Sequence, residues 1–437
     1  MKVLTSTTNN SAGGAAKSCI RLHQALLEDG VSSELLMLEH PHKEIPHGHS
    51  FYEFHVNEQR RKKKSIPLSK KIYTKVLYEL GRDEEAIFNK KMTYEAKIIS
   101  QKKYGSETFH FAHSQYRIEQ HPLYKEAEIV NLHCMINNFL DYTTFFANKL
   151  KPIVWTLHDM TPFTGGCVYS EGCDGYISGC TNCPQLKGTD NSNYTADTLK
   201  VKQKSLEGMK NFTIVSPSIW LLNESKKSSL FKDFRHEHIP YGLNSKVFKP
   251  RDKAYSRDIL GLPVDKPVIL FVSHNIHNQR KGYQYLSDAL KALKLQDKVT
   301  LCAVGAKSTE STNNGFIELG SFSDERLMSM VYSAADIFVI PSIEDNLPNT
   351  VLESLLCGTP VIGFPIGGIP DMVKSGVNGY LCDNVSVDAL AKQLNIFMDN
   401  PKIFNREQIR DEAVKKYDSS VQSRAYIKLY NELLQNN

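Results

Sequence analysis

"ADIFVIPSIEDNLPNTVLESLLCGTPVIGF", residues 335–364, is the stretch from which the architecture can be read. It opens with a continuous apolar run of strand length, ADIFVIPS. A loop carrying Asp345 and Pro348 follows, then a helical run ending at Cys357-Gly358, then a second apolar strand, TPVIGF. Strand, loop, helix and strand make the βαβ unit of a parallel sheet. Strands that are apolar throughout belong to sheets covered by helices on both faces.

The same alternation leads into this stretch. KPVILFVSH, KGYQYLSDALKAL, KVTLCAVG and SDERLMSMVYSA read as strand, helix, strand and helix. An earlier series begins at the N-terminus with the strand KVLTST (2–7), a Gly-bearing loop, the helix AAKSCIRLHQALLED and the strand SSELLML. It resumes through AEIVNLH (127–133), KPIVWTLH (151–158) and NFTIVSPS (211–218). Residues 40–125 between them are polar and basic, without a clean period. IPYGLNSKVFKPRDK (239–253) has the Pro and Gly of a linker. At 437 residues the chain exceeds one ordinary core. The expectation is α/β: two Rossmann-like, doubly wound parallel-sheet domains facing a cleft, at 1–242 and 243–417. A final helix, about 418–437, is a candidate to pack back on the first domain.

Hydrophobic residues at 41% and charged residues at 23% describe a soluble globular chain. The net charge of +5 gives no case for a nucleic-acid partner. No apolar run has the length of a signal peptide or a bilayer span, so a cytoplasmic protein is expected. In that compartment the nine cysteines should be thiols or metal ligands.

In such sheets ligands bind at the carboxyl ends of strands, and every motif here follows a predicted strand. Gly13 and Gly14 open a helix in GGAAKS, where bare N–H groups can approach an anion. It is not a Walker A motif, because Ser11 and Ala16 stand at its two Gly positions. An ordinary tight turn is the bland alternative. Arg280 and Lys281 immediately precede a helix expected to begin near Gly282. Cations there oppose the helix dipole, and a bound diphosphate would remove the conflict; a solvated basic turn would not need one. Asn349 and Glu353, one turn apart, share a helix face, while Asp345 lies in the loop before it. With Asn346 and the helix start at Asn349-Thr350, this layout suits a nucleotide sugar: carboxylates for hydroxyls, N–H groups for phosphate. A capped helix with a surface Glu is the alternative.

The segment PSIEDNLPNTVLESLLCGTPVIGFPIGGIPDMVKSGVNGYL resembles the donor-site signature of glycosyltransferase family 4, retaining enzymes of GT-B fold with nucleotide-sugar donors. IVNLH, WTLHDM, VSPS, IPYGLNSKVFKP and RKG extend the resemblance over nearly the whole chain. The segment WTLHDMTPFTGGCVYSEGCDGYISGCTNCPQL is similar to a subgroup from bacterial exopolysaccharide and colanic-acid-type gene clusters. Asp345 replaces the first, usually Glu, carboxylate of the signature, and Glu353 matches the second. The Arg usual after the first strand of the second domain is absent, with Ser273 and His274 there and Arg280 as substitute. Pro348 stands where Gly is common.

The resemblance implies that His133 contacts the transferred sugar and that the donor is a UDP- or GDP-sugar. It implies a glycan or lipid-linked acceptor, with His158 and Asp159 on the acceptor side. It also implies front-face displacement, with Arg280 and Lys281 stabilising the departing diphosphate and Asp345 at the reacting sugar. A lone His ending a buried strand is otherwise often structural. No D-x-D pair occurs, which argues against a Mg²⁺-bridged donor, and no catalytic cofactor is expected. A nucleotide-sugar epimerase and a non-catalytic nucleotide-sugar binder are the rival readings.

Cys167, Cys173, Cys180 and Cys183, spaced C-x5-C-x6-C-x2-C, read as a structural Zn²⁺ site, with free thiols or disulfides as alternatives. RRKKKSIPLSKKIYTK (60–75) interleaves cations with Ile66, Leu68, Ile72 and Tyr73. It is either a solvated basic face or a docking face for anionic lipid headgroups, which would place the protein peripherally on the membrane.

Overall fold

The computed structural model describes residues 1–8, 13–39, 44–65, 77, 84–100, 109–186, 193–273, 278–295, 297–305 and 316–435. The chain divides into two compact units. The first comprises Met1–Ser216, Leu222–Glu237 and Lys428–Asn437, the second Pro217–Leu221 and His238–Ile427.

The first unit is built on seven strands: β1 (Lys2–Thr7), β2 (Ser32–Met37), β3 (Gly48–Ser50), β4 (Ile129–Leu132), β5 (Ile153–Thr156), β6 (Phe212–Ser216) and β7 (Arg235–His238). Their order is β3-β2-β1-β4-β5-β6-β7. β1 pairs in parallel with β2 and β4, β4 with β5, and β5 with β6. β4, β5 and β6 are buried along their whole length, as expected of strands covered on both faces. Trp155 of β5 lies against Phe146 and Phe212, and the Phe212 and Phe234 rings meet edge to face at 4.9 Å. The run at 40–125 that lacks a clean period contains the short β3 and the helices Phe51–Ser65 and Glu84–Ser100.

The second unit holds β8 (Val268–Val272), β9 (Thr300–Val304), β10 (Phe316–Glu318), β11 (Ile337–Ile340), β12 (Val361–Gly363) and β13 (Gly379–Leu381). Their order is β10-β9-β8-β11-β12-β13, and each neighbouring pair is parallel. β10 and β13, of three residues each, were not among the expected strands. Asp336 anchors the start of β11. Its carboxylate accepts from the Val268 N–H and from Arg257, each at 2.6 Å, and from Lys253. Burial alone would raise that carboxyl, but the two cations and the amide hold it below the usual range.

The C-terminal stretch forms two helices, Arg406–Tyr417 and Ser419–Gln435, separated at Asp418, and the second coincides with the final helix expected at about 418–437. Asp418 is extended (φ −64°, ψ 142°), so one helix cannot run through it. Leu243 donates its N–H to Tyr417 and its carbonyl accepts from Ser419 at the break. Within the first unit the Tyr430 hydroxyl accepts from Asn131 Nδ2 at 2.8 Å, and Asn131 Oδ1 accepts from Thr156.

Candidate active site

In the second unit β11 ends at Ile340, and the chain turns through Pro341–Pro348 into the helix Asn349–Leu356. Pro348 sits at the N-cap with φ −65°, and no side chain caps this helix. The turn is shaped by three glycines. Gly282, at φ +69°, lies where a Cβ would come within 1.8 Å of the Pro341 carbonyl oxygen. Gly367, at φ +52°, would place a Cβ 1.6 Å from the Asp345 carbonyl oxygen. Gly368 donates its N–H to Asn346 O at 2.5 Å. The GG of the sequence signature is therefore a packing surface for the Asp345-Asn346 backbone.

That backbone holds Asp345 against the basic turn Gln279–Lys281, a single 3₁₀ turn. Lys281 Nζ stands 2.6 Å and Arg280 3.7 Å from Asp345 Oδ2. Arg280 also donates to the Glu344 carbonyl at 2.7 Å, and Ile343 N–H donates to the Arg280 carbonyl. Burial pushes the Asp345 carboxyl up, but Lys281 and then Arg280 outweigh it and hold it below the ordinary carboxylate range. The next helix begins at Tyr283 with Gly282 as its N-cap, near where it was expected. The two cations before it are already paired with Asp345.

Glu353 is 6% exposed, so it is not the surface Glu of the alternative reading. Its Oε2 accepts a 3.0 Å hydrogen bond from the Tyr332 hydroxyl. Asn346 is buried and its Oδ1 accepts from Ser218 at 2.6 Å, while Asn349 and Thr350 at the helix start are half-buried. Ser273 is buried at the end of β8; His274 lies outside the described residues.

In the first unit His133 follows β4, and His158 and Asp159 follow β5. His133 Nδ1 and His158 Nε2 share a 2.9 Å hydrogen bond, so one ring donates and the other accepts. The His133 N–H donates to Ser6 O, and its carbonyl accepts from the Trp155 indole. Burial, and then the neighbouring His158, lowers the His133 pKa well below the ordinary imidazole value; burial lowers His158 to about 3. Both rings are thus neutral at neutral pH. They line a small pocket with Met135, Asp159 and Thr161. Asp159 Oδ1 accepts from the Thr161 N–H.

Buried polar atoms without a partner gather at the same ends of the strands: Thr5 Oγ1, Ser6 Oγ and Thr7 Oγ1 on β1, His133 Nε2 after β4, Thr161 Oγ1 after β5 and Ser216 Oγ on β6. An orphaned buried hydroxyl costs about 1–3 kcal/mol, so these groups call for water or another polar partner. The hydroxyl residues and Tyr332 escaped the sequence reading. Three consecutive hydroxyls on a buried strand, TST, were the available signal.

Gly13 takes φ +86° at the start of the helix Gly14–Glu28 with no side-chain cap, and an added Cβ would meet nothing within 4 Å. It is required there for its backbone angle. Cys167, Cys173, Cys180 and Cys183 come together around one cavity. Of the basic stretch 60–75, residues 66–75 lie outside the described residues. Among the described residues no helix is long and apolar enough to cross a membrane.

Two parallel α/β sheets with candidate sites at their strand ends define a two-domain chain of the GT-B class. Residues 252–416 match the family model described as Glycosyl transferases group 1. It is 28% identical over 237 residues, half of this chain, to the Escherichia coli strain K12 protein named putative colanic acid biosynthesis glycosyl transferase WcaC. The chain spans about half the length of that relative (54%). Its fold is similar to sucrose-phosphate synthase from Thermosynechococcus elongatus (TM-score 0.65, 17% identity, all of both chains). It is also similar to Anabaena HepE, solved in complex with UDP (TM-score 0.60, 14% identity, 99% of this chain and all of that one).

Proposed function

We propose that this protein is a retaining glycosyltransferase that moves a sugar from a UDP- or GDP-sugar to a lipid-linked glycan acceptor in surface polysaccharide synthesis. The observation that carries the reading is the pair Asp345 and Glu353. Both are buried carboxylates after β11 in the segment that matches the group 1 family, each held by a specific donor, Lys281 or Tyr332. The name of the Escherichia coli relative supports the polysaccharide context, and the solution of HepE with UDP makes a UDP-sugar the first donor to try.

In this reading Glu353, oriented by Tyr332, accepts from the ribose hydroxyls. The diphosphate competes with Asp345 for Lys281 and Arg280, whose charges then stabilise it as it departs. The uncapped helix start at Asn349-Thr350 adds its dipole to the same charge. Asp345, released from Lys281, accepts from a hydroxyl of the transferred sugar. The neutral His133, its ring fixed by His158, hydrogen-bonds that sugar through Nε2, and Asp159 receives the acceptor. The acceptor hydroxyl attacks the face from which the diphosphate leaves and gives its proton to that phosphate. Neither carboxylate bonds to the sugar, and the absence of a D-x-D pair in the sequence supports donor binding without a bridging Mg²⁺. The basic stretch 60–75 is assigned to anionic headgroups on the same reading.

The test is nucleotide release from UDP- and GDP-sugars, with and without lipid-linked acceptors, and the anomeric configuration of the product by NMR. Acceptor-dependent release lost in Glu353→Ala and His133→Ala, with retained configuration, is expected. Sugar isomerisation without acceptor would replace the reading with an epimerase, and an inverted product would overturn the mechanism.

A further inference from the structure

We propose that Cys167, Cys173, Cys180 and Cys183 bind a single Zn²⁺ as a structural tetrathiolate site. The proposal is independent of the glycosyltransferase reading.

All four cysteines, spread along the chain between β5 and β6, line one cavity. No His, Asp or Glu shares that lining, so a cation there meets sulfur. Four soft sulfur ligands select Zn²⁺ or an iron–sulfur cluster over hard cations. None of the four is in a disulfide.

The backbone around them is arranged for thiolates. Gly165 N–H points at Cys180 Sγ (3.2 Å) and Gly175 N–H at Cys173 Sγ (3.3 Å). An N–H aimed at sulfur favours the anionic ligand over the neutral thiol and orients it, the role of an outer shell around a metal. The loop also takes left-handed backbone angles at non-glycine positions, including Cys180 (φ 56°), Asn182 (φ 53°) and Glu171 (φ 50°). Each costs energy that surrounding structure must offset. The segment from Thr164 to Leu186 has little regular structure to do so, beyond the four-residue helix Gly175–Ser178. A metal cross-link supplies that compensation.

Beneath the loop Lys202 is fully buried and donates to the carbonyls of Thr161 and Thr164 at 2.6 and 2.9 Å. A buried cation held by neutral carbonyls is costly unless an anion lies near. Asp159 supplies one such charge, and Zn²⁺ with four thiolates, carrying two negative charges, would add to it. Binding forms four Zn–S bonds and releases four thiol protons to solvent. Among the described residues no three His, Cys, Asp or Glu side chains already stand in coordinating positions. The thiols must therefore turn inward about their single side-chain torsion, into the cavity they already line. Because Asp159 and Thr161 border the His133–His158 space, and Met160 N–H donates to Val168 O, the ion would stiffen that side of the strand ends.

The full chain, made with a tag that binds no metal, is analysed for metals by mass spectrometry and titrated with a mercurial in the presence of a zinc indicator. About one zinc per chain is expected, abolished in Cys180→Ser/Cys183→Ser and retained in Cys382→Ser. Wild-type protein stripped of metal and given Co²⁺ should show the visible bands of a tetrahedral thiolate site, a readout that does not depend on any variant folding. Iron with visible charge-transfer absorption, a disulfide in the intact mass, or stripped protein whose four thiols react equally fast with and without Zn²⁺ would each overturn the proposal.

Discussion

Replacing Asp345 by Asn keeps the size of the side chain and removes its charge. Lys281, at 2.6 Å, and Arg280, at 3.7 Å, then lose their counter-ion in a site where the Arg280 and Asp345 side chains are only 15% and 12% exposed. Removing one partner of a fully buried pair costs about 3–5 kcal/mol, and because Lys281 retains partial access to solvent the expected loss is about 2–3 kcal/mol. For a unit of this size that lowers the melting temperature of the second-unit transition by roughly 4–12 °C. Differential scanning calorimetry at several pH values is the assay. The wild-type carboxyl is depressed, so the stability it contributes is complete above the ordinary carboxylate pKa of about 4 and lost as pH falls through the lower folded-state value. The curves for wild type and Asp345→Asn should thus converge at acid pH and separate above it. On the proposed function, UDP should bind Asp345→Asn more tightly, because the diphosphate no longer competes for Lys281, while sugar transfer falls. Equal melting temperatures at pH 7 with parallel pH curves would refute the argument.

Gly367→Ala forces φ +52° on an L-residue and a Cβ to within 1.6 Å of Asp345 O; the loss should exceed about 3 kcal/mol by denaturant unfolding. Gly376→Ala, at φ +79° with nothing within 4 Å, should cost only about 1–2 kcal/mol in the same experiment. Tyr332→Phe leaves the buried Glu353 without its hydroxyl donor, at a cost of about 1–3 kcal/mol, and should raise the KM for donor more than it lowers kcat. Burial lowers the folded-state pKa of His158 to about 3, so the unfolded chain binds its proton first. Stability is full above about pH 6.5 and declines by up to about 1.4 kcal/mol per pH unit below it, and His158→Gln should flatten this slope in unfolding followed from pH 8 to 5.

Local pattern was enough for the architecture. Continuous apolar runs such as ILFV and IFVI, each followed by a loop and an amphipathic helix, specify buried parallel strands because burial on both faces leaves no polar alternation. The same pattern is silent for β3 (GHS), β7 (RHEH), β10 (FIE) and β13 (GYL), short strands without a continuous apolar run. The helix break at Asp418 falls where the final helix was expected to begin, and its extended backbone is held by Leu243, far away in sequence. Residue types and spacing located the loop from Asp345 to Glu353, the two histidine-bearing strand ends and the four-cysteine segment. Partner choice was decided only in three dimensions. Lys281 reaches Asp345 across 64 residues, His133 reaches His158 across 25, and Tyr332 reaches Glu353 across 21. The reason is physical. Periodicity and turn chemistry act over a few residues, whereas the counter-ion of a buried charge is whichever group the sheet order and a close glycine contact bring within about 3 Å.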